Sequence, residues 1–113
     1  MKRETKYYGV GHGPITPWGM ADSRENYAPG VSFYSTPGHG GFRVTGAALA
    51  RIPAQLRQTA YAPRGWYEED CDWAIVALAF PELFTESERD QAQETLRRYM
   101  PRALTILLPS ASS

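Results

Sequence analysis

The chain has 113 residues, 42% of them hydrophobic, with three Trp, seven Tyr and four Phe, and this composition excludes a disordered protein. Twelve basic and twelve acidic side chains give a formal net charge of zero, which excludes the global positive field that draws proteins to nucleic acid. The single cysteine excludes an internal disulfide. We expect one cytoplasmic domain over residues 1–113, with a disordered tail over 110–113 and no direct contact with nucleic acid or membrane.

The first part of the chain predicts a loop followed by extended segments. Glycine and proline interrupt residues 7–19 at short intervals, which disfavours both a long helix and a central strand. Residues 21–27 follow as an extended segment, and Pro29 ahead of Gly30 is typical of a turn. Val31–Ser35 is rich in β-branched and aromatic side chains, so it predicts a strand.

A glycine-rich reversal over residues 36–41 predicts a hairpin whose second strand covers residues 42–45. Its glycines permit positive φ angles and close approach of another part of the chain or of an anion. Residues 47–52 then predict a short helical run that Pro53 interrupts, and residues 54–58 predict a second helical turn. The sequence up to this point indicates two or three antiparallel strands followed by short helical pieces.

The second part of the chain predicts helices. Acidic residues between Glu68 and Asp72 complement the positive end of a helix, so we expect a helix over residues 68–79. Its interior is apolar on nearly all sides, which predicts burial; a buried strand is the competing interpretation. Thr85 and Glu88 have the spacing of a capping box.

The capping box predicts a helix over residues 86–100 that Pro101 ends, and residues 104–108 predict a last strand. Within the helix, Ala92 and Leu96 belong to an apolar stripe. Strands in the first half and helices in the second predict an α+β fold, a small antiparallel sheet with two or three helices packed on one face.

His39, in its glycine-rich turn, is the first candidate for chemistry. A structural hairpin turn explains the segment without any reaction. The catalytic alternative pairs His39 as a base with the Cys71 thiol, oriented by Asp70 or Asp72, because a thiol nucleophile needs a nearby base. Neighbouring carboxylates raise the pKa of a thiol, however, so a structural role for Cys71 is favoured over catalysis.

A metal site would require one of the two histidines, His12 or His39, to meet the acidic segment in space. The acidic segment alone has no paired Cys or His spacing. Stabilising a helix start accounts for the acids without a metal. The sequence therefore predicts no metal ion and no cofactor. In the alternative, a metal ion would be held by one of the histidines together with Glu69, Asp70, Cys71 or Asp72.

The second candidate site is a contact surface around the aromatic and acidic residues 64–69. Arg64, Trp66 and Tyr67 combine the residue types that dominate binding hot spots. Glu68 and Glu69 add negative charge that suits a local basic groove on a partner. We expect these five residues to form an exposed protein-binding patch.

Several segments resemble those of a family of small uncharacterised domains from phages, plasmids and integrated conjugative elements of proteobacteria, some of them modules of large polyvalent proteins. The similarity covers most of residues 16–84. The matching segments are Thr16-Pro17-Trp18-Gly19, Ala28-Pro29-Gly30, Ser35-Thr36-Pro37-Gly38-His39-Gly40-Gly41, and Tyr67-Glu68-Glu69-Asp70-Cys71-Asp72-Trp73-Ala74 with Val76-Ala77-Leu78-Ala79-Phe80-Pro81.

The resemblance implies a biological setting but no catalytic residues. Small proteins of mobile elements often counter host defence, so we expect a protein that binds a host CRISPR or restriction nuclease complex and inhibits it sterically. Neutral net charge argues against simple mimicry of DNA. Two alternatives remain: a small hydrolase or transferase that uses His39 with Asp70, Cys71 or Asp72, and an adaptor that docks other mobile-element proteins. The oligomeric state stays open.

Overall fold

The computed structural model describes residues 3–59 and 61–111. The strands are β1 (Glu4–Tyr7), β2 (Ile15–Thr16), β3 (Gly19–Met20), β4 (Ser23–Ala28), β5 (Val31–Ser35), β6 (Gly40–Val44) and β7 (Trp66–Glu68). The α-helices are α1 (Gly46–Leu49), α2 (Trp73–Ala79), α3 (Glu86–Tyr99) and α4 (Pro101–Leu107). Five strands form an antiparallel sheet in the order β1-β4-β5-β6-β7, and β2 pairs with β3 in a separate ribbon. The predicted α+β class is confirmed.

Strand β6 shows how the sheet divides into two faces. Phe42 pairs with Phe33 on β5 and with Tyr67 on β7, and these three side chains belong to the hydrophobic core under the helices. Because side chains alternate along a strand, the neighbouring row of Gly41 and Glu68 faces the opposite way. This second face, called the outer face below, carries Trp66 and Glu68, two of the residues that the sequence singled out for function.

Helix α2 is the centre of the core. Its residues Ala74, Ile75 and Val76 have no exposed surface, which confirms the predicted burial of this apolar segment. The helix packs against α3 and α4 on one side and against β6 and β7 on the other. The stripe of α3 that faces it includes Ala92 and Leu96, both fully buried. Side chains from the sheet and the helices therefore share one continuous core.

The structure confirms most of the elements predicted in the first half. The predicted strands match β4, β5 and β6, and the predicted helical pieces match α1 and a 3-10 turn over Ala54–Arg57. The lead-in over residues 7–19 is loop-like, but it contains the short paired segments β2 and β3, and β1 precedes it. At the other end, Pro109–Ala111 forms a 3-10 turn, and residues 112–113 of the expected tail lie outside the described residues.

The helix expected over residues 68–79 begins later, at Trp73. Residues 66–68 instead form the edge strand β7, which pairs with residues 41–43 of β6. The carboxylate of Glu68 then accepts hydrogen bonds from the next backbone amides and turns the chain into the helix. The acids do lie before the helix, but pairing with a distant strand outweighs the local helix signal.

The strand expected over residues 104–108 is also wrong, because Pro101–Leu107 is the helix α4. Proline is favoured in the first turn of a helix. Pro101 follows the end of α3 and is the first residue of α4. Ala103 and Leu104 are buried where α4 packs against α2 and α3. The short apolar run over residues 104–108 is compatible with a helix or a strand, and tertiary packing determines that it is a helix.

The capping box is confirmed in full. The Thr85 hydroxyl accepts from the Glu88 amide at 3.1 Å, and the Glu88 carboxylate accepts from the Thr85 amide at 2.8 Å. The same carboxylate binds Arg3, whose guanidinium lies 4.0 Å from the centre of the Tyr27 ring. This contact ties the chain just before β1 to the start of α3. Among residues 3–59 and 61–111, no helix has the length and apolarity needed to cross a bilayer.

Candidate functional site

The turn between β5 and β6 is held by the side chain of Thr36. The Thr36 hydroxyl accepts from the His39 amide at 3.1 Å and donates to the His39 carbonyl at 2.7 Å. The Thr36 amide donates to the same carbonyl at 2.7 Å. These bonds close the turn and fix the backbone at His39, so the hairpin predicted for the glycine-rich segment is confirmed.

The glycines that follow the turn allow close packing rather than unusual backbone angles. From the sequence, these glycines permit positive φ angles, but Gly38, Gly40 and Gly41 all lack a positive φ. A Cβ on Gly41 would lie 2.3 Å from Cη2 of Trp18, and one on Gly40 would lie 2.8 Å from the Tyr34 carbonyl oxygen. The Trp18 ring therefore lies directly on the backbone of β6.

Trp18 reaches this position from the ribbon of β2 and β3. The Thr16 hydroxyl accepts from the Trp18 amide at 3.1 Å and donates to the Gly19 carbonyl at 2.7 Å, which fixes the turn of the ribbon. The Trp18 ring then makes edge contacts with His39 at 5.4 Å and with Trp66 at 5.7 Å. Trp18 therefore lies between two regions of the outer face, one that contains His39 and one that contains Trp66.

The first region brings His39 to the acidic segment. The imidazole Nδ1 lies 3.3 Å from Oε1 of Glu69, and Nε2 lies 3.7 Å from Oε2 of Glu68. One ligand atom of Asp70 lies within 4.8 Å of those of His39 and Glu68. We call these four residues the histidine–acid cluster. The two most unusual segments of the sequence thus meet in space.

Glu68 is the structural centre of the cluster. Its carboxylate accepts from the amides of Asp70, Cys71 and Asp72 at 2.7, 2.5 and 2.9 Å. Burial raises the pKa of Glu68, but these three amides and the nearby His39 outweigh it, so the pKa lies below its ordinary value. Glu68 is therefore held ionised by bonds that also shape the turn.

The described residues do not form the arrangement that the catalytic alternative requires. No hydrogen bond or ion pair joins His39 to Asp70, Cys71 or Asp72 in residues 3–59 and 61–111. Burial, followed by the charge of Glu68, raises the pKa of the Cys71 thiol. The same two causes raise the pKa of buried Asp72 to about 6. The geometry gives Cys71 no base and little thiolate.

The expected contact patch is only partly exposed. Tyr67 is fully buried and Trp66 is 5% exposed, so the expectation that both rings are accessible is wrong. Tyr67 points into the core, where its hydroxyl donates to the Leu56 carbonyl, while Trp66 is covered on the outer face by Trp18. Arg64 and Glu69 of the same patch are exposed, and Glu68 is half-buried.

The second region, on the other side of Trp18, is an open groove with a volume of about 980 Å³. Ile15 is 79% exposed and Tyr61 is 40% exposed at its border. Arg43 and Arg64 supply its charge, and no acidic residue among residues 3–59 and 61–111 lines it. We call this region the arginine groove; its lining is Ile15, Thr16, Pro17, Arg43, Val44, Thr45, Gly46, Leu49, Tyr61, Pro63, Arg64, Gly65 and Trp66.

Sequence reasoning found Arg64 but missed Arg43, Ile15 and Tyr61. Arg43 had a usable signal, because it lies between two apolar residues of a predicted strand and must therefore face away from the core. Ile15 and Tyr61 had none, since both lie in segments that were expected to be loops. Their proximity depends on how the ribbon of β2 and β3 packs on the sheet.

Residues 12–110 match the model of a protein family described as a domain of unknown function, DUF7007. The match covers most of the chain, including both regions of the outer face, so the protein belongs to this family. No curated protein and no solved structure matches the chain. The family therefore supports the predicted relationship to small uncharacterised domains, and the function has to be argued from the site itself.

Proposed function

We propose that this protein binds a partner protein through the arginine groove and, as a counter-defence protein, inhibits a host CRISPR or restriction nuclease complex. The observation that carries the proposal is the state of the two arginines. Arg43 and Arg64 are exposed, and among the described residues neither makes an ion pair with a carboxylate. Their donors are therefore free for a partner.

The lining of the groove supports a protein as the ligand. Arginine and tyrosine are enriched at the energetic centres of protein interfaces, and exposed Ile15 adds apolar area beside them. Arg43 lies 5.0 Å from the centre of the Trp66 ring, which limits the freedom that its side chain would lose on binding. These features fit an acidic partner segment that also carries apolar side chains.

The same features argue against single-stranded nucleic acid. Proteins that bind it offer exposed aromatic faces on which bases stack, along a positively charged track. Of the two aromatic residues that line the groove, Trp66 is only 5% exposed and Tyr61 is 40% exposed, and the net charge of the chain is zero. The histidine–acid cluster, on the other side of Trp18, would repel phosphates that extended beyond the groove.

The counter-defence role is supported by the resemblance of the segments over residues 35–41 and 67–81 to domains of phages, plasmids and conjugative elements. The alternation of a basic groove and an acidic cluster on one face also fits steric inhibition, because charges of both signs fix the position of a bound partner. An adaptor would bind its partner through the same surface. The two functions are distinguished by nuclease activity, which an inhibitor lowers on binding and an adaptor leaves unchanged. No contact among the described residues favours the hydrolase or transferase alternative.

The test is phage infection of a host strain that carries a defined CRISPR or restriction system. Expression of the protein is expected to restore plating of a targeted phage, and the double variant R43E/R64E is expected to lose this effect. The matched control is R98E/R102E, which reverses two exposed arginines on α3 and α4, outside the groove. Charge reversal at an interface weakens affinity by about 100-fold or more.

Each outcome of this test is informative. Equal protection by all three proteins would show that the groove does not carry the activity. Failure of the wild-type protein to protect the phage against any tested nuclease system would contradict counter-defence. If the protein nevertheless retained a partner in a groove-dependent manner, the adaptor alternative would replace it.

A further inference from the structure

The histidine–acid cluster has a property that the proposed protein contact does not use. His39, Glu68 and Asp70 each offer one ligand atom, and these three atoms lie within 4.8 Å of one another. We propose that these residues bind a divalent first-row transition-metal ion. This proposal replaces the sequence expectation of no metal, which rested on the lack of metal-ligand spacing within the acidic segment alone.

The distances suit a shared ion after a small movement. Ligand atoms bonded at about 2.0–2.2 Å to one ion lie roughly 3–4.4 Å apart, depending on the angle between them. Nε2 of His39 and Oε2 of Glu68 are 3.7 Å apart, inside this interval. The ligand atom of Asp70 lies within 4.8 Å of the other two, and Asp70 is exposed in the turn before α2, so its carboxylate can move closer to them.

The orientation of the imidazole also fits a metal ligand. Histidines that bind metals through one ring nitrogen usually direct the other toward a carboxylate, which sets the tautomer and the ring orientation. In this protein Nε2 of His39 faces Glu68, while Nδ1 lies 3.3 Å from Oε1 of Glu69. Glu69 therefore takes the place of the orienting carboxylate, and Nε2 is left as the ligand.

Two of the three ligands are held in position by the fold. The turn closed by Thr36 fixes the backbone of His39. The edge contact with the Trp18 ring limits the rotation of the His39 imidazole. The Glu68 carboxylate is fixed by three backbone amides and keeps lone pairs on Oε2, which accepts only one of those bonds. Ligands that are already in place lose little conformational entropy on binding.

The donor set defines the class of ion. One imidazole nitrogen with two carboxylates suits Mn²⁺, Fe²⁺, Co²⁺, Ni²⁺ or Zn²⁺, whereas Ca²⁺ prefers six or more oxygens and Cu⁺ prefers sulfur. Three protein ligands leave room for at least one water or for a group from a partner. We use Zn²⁺ as the calorimetric probe and Co²⁺ as the spectroscopic probe.

The experiment titrates the full chain, free of any histidine tag, with Zn²⁺ by isothermal titration calorimetry. One equivalent is expected to bind, and His39→Ala is expected to reduce the affinity by at least about tenfold. His12→Ala is the matched control, because His12 is the other histidine and lies in the exposed lead-in, outside the cluster. Asp70→Asn is expected to weaken binding, whereas Asp90→Asn on α3 is not.

A second measurement makes the assignment independent of the heat signal. Addition of Co²⁺ is expected to broaden and shift the NMR resonances of the His39 imidazole while those of His12 stay sharp. Failure of Zn²⁺ to bind, equal binding by the His39→Ala protein, or loss of binding in the His12→Ala protein would overturn the proposal. A thiolate-to-cobalt absorption band would overturn it as well, because Cys71 would then be a ligand.

Discussion

The two regions of the outer face, divided by Trp18, differ in how their polar groups are used. In the histidine–acid cluster, the Glu68 carboxylate accepts hydrogen bonds from nearby backbone amides, and beside the cluster the Thr36 hydroxyl bonds to the backbone of His39, so these bonds shape two turns of the fold. In the arginine groove, exposed Arg43 and Arg64 have no carboxylate partner among the described residues. We therefore expect substitution of Glu68 to lower stability, and substitution of the groove arginines to remove partner binding with little change in stability.

The largest expected effect is at the boundary between the regions. Gly41→Ala would place a Cβ 2.3 Å from the Trp18 ring and 2.7 Å from the Tyr67 carbonyl oxygen, and neither neighbour can retreat without moving the sheet or the ribbon. We expect a loss of about 3 kcal/mol or more in the free energy of unfolding, measured with urea. Gly38→Ala is the control, because nothing lies within 4 Å of its Cβ position. Equal stabilities would contradict the packing of Trp18 on β6.

The next effect depends on pH and concerns buried Asp72. Its pKa is raised to about 6 from an ordinary 3.8, so the folded protein holds this proton more tightly than the unfolded chain. The resulting stabilisation is complete below pH 3.8 and is lost as the pH rises through 6.

Asp72→Asn keeps the side chain neutral at every pH. Its free energy of unfolding should therefore match the wild-type value near pH 4 and exceed it above pH 7, by up to about 3 kcal/mol for a shift of about two pKa units. Paired urea titrations from pH 4 to pH 8 measure this difference. A difference that does not change with pH would show that Asp72 is ionised normally.

Within the cluster, Glu68 and Glu69 provide a comparison between adjacent residues. Glu68→Ala leaves three backbone amides without their acceptor, which should cost about 2 kcal/mol of stability. Glu69→Ala removes an exposed carboxylate and should change stability by less than about 0.5 kcal/mol. Both are measured in EDTA so that metal binding does not contribute. Equal losses would mean that the turn does not depend on the Glu68 carboxylate.

The smallest effect on stability is expected in the groove. R43E/R64E removes two exposed charges and one contact between Arg43 and the Trp66 ring, so its free energy of unfolding should fall by less than about 1 kcal/mol. The loss of phage protection proposed for this variant would then reflect a lost contact rather than unfolding. A large fall in stability would remove the distinction between the two regions.

Local signals in the sequence identified the elements that depend on neighbouring residues. The β5–β6 hairpin follows from its glycine-rich turn, and α3 follows from the capping box of Thr85 and Glu88. The strand over residues 66–68 was missed, the helix expected from residue 68 begins only at Trp73, and the strand expected over residues 104–108 is wrong, because distant partners decide these structures. The missed strand pairs with β6 to complete the sheet, and the last segment is packed as a helix against α2 and α3.

The site was harder to predict than the fold, for the same reason. His39 and the acidic segment were both recognised as unusual, but the meeting of His39 with Glu68 depends on the register of β6 against β7. That register also turns Tyr67 into the core, which removed it from the expected contact patch. Residues can be assigned to the buried or the exposed face of a strand only when the strand itself has been predicted, and β7 was not.

The most direct test of the account is arginine footprinting of the protein purified with its partner from host cells. Phenylglyoxal modification followed by mass spectrometry is compared between the complex and the protein alone. The account predicts that Arg43 and Arg64 are protected in the complex, while Arg98 and Arg102 react equally in both samples. Equal modification of all four arginines would contradict the assignment of partner binding to the arginine groove.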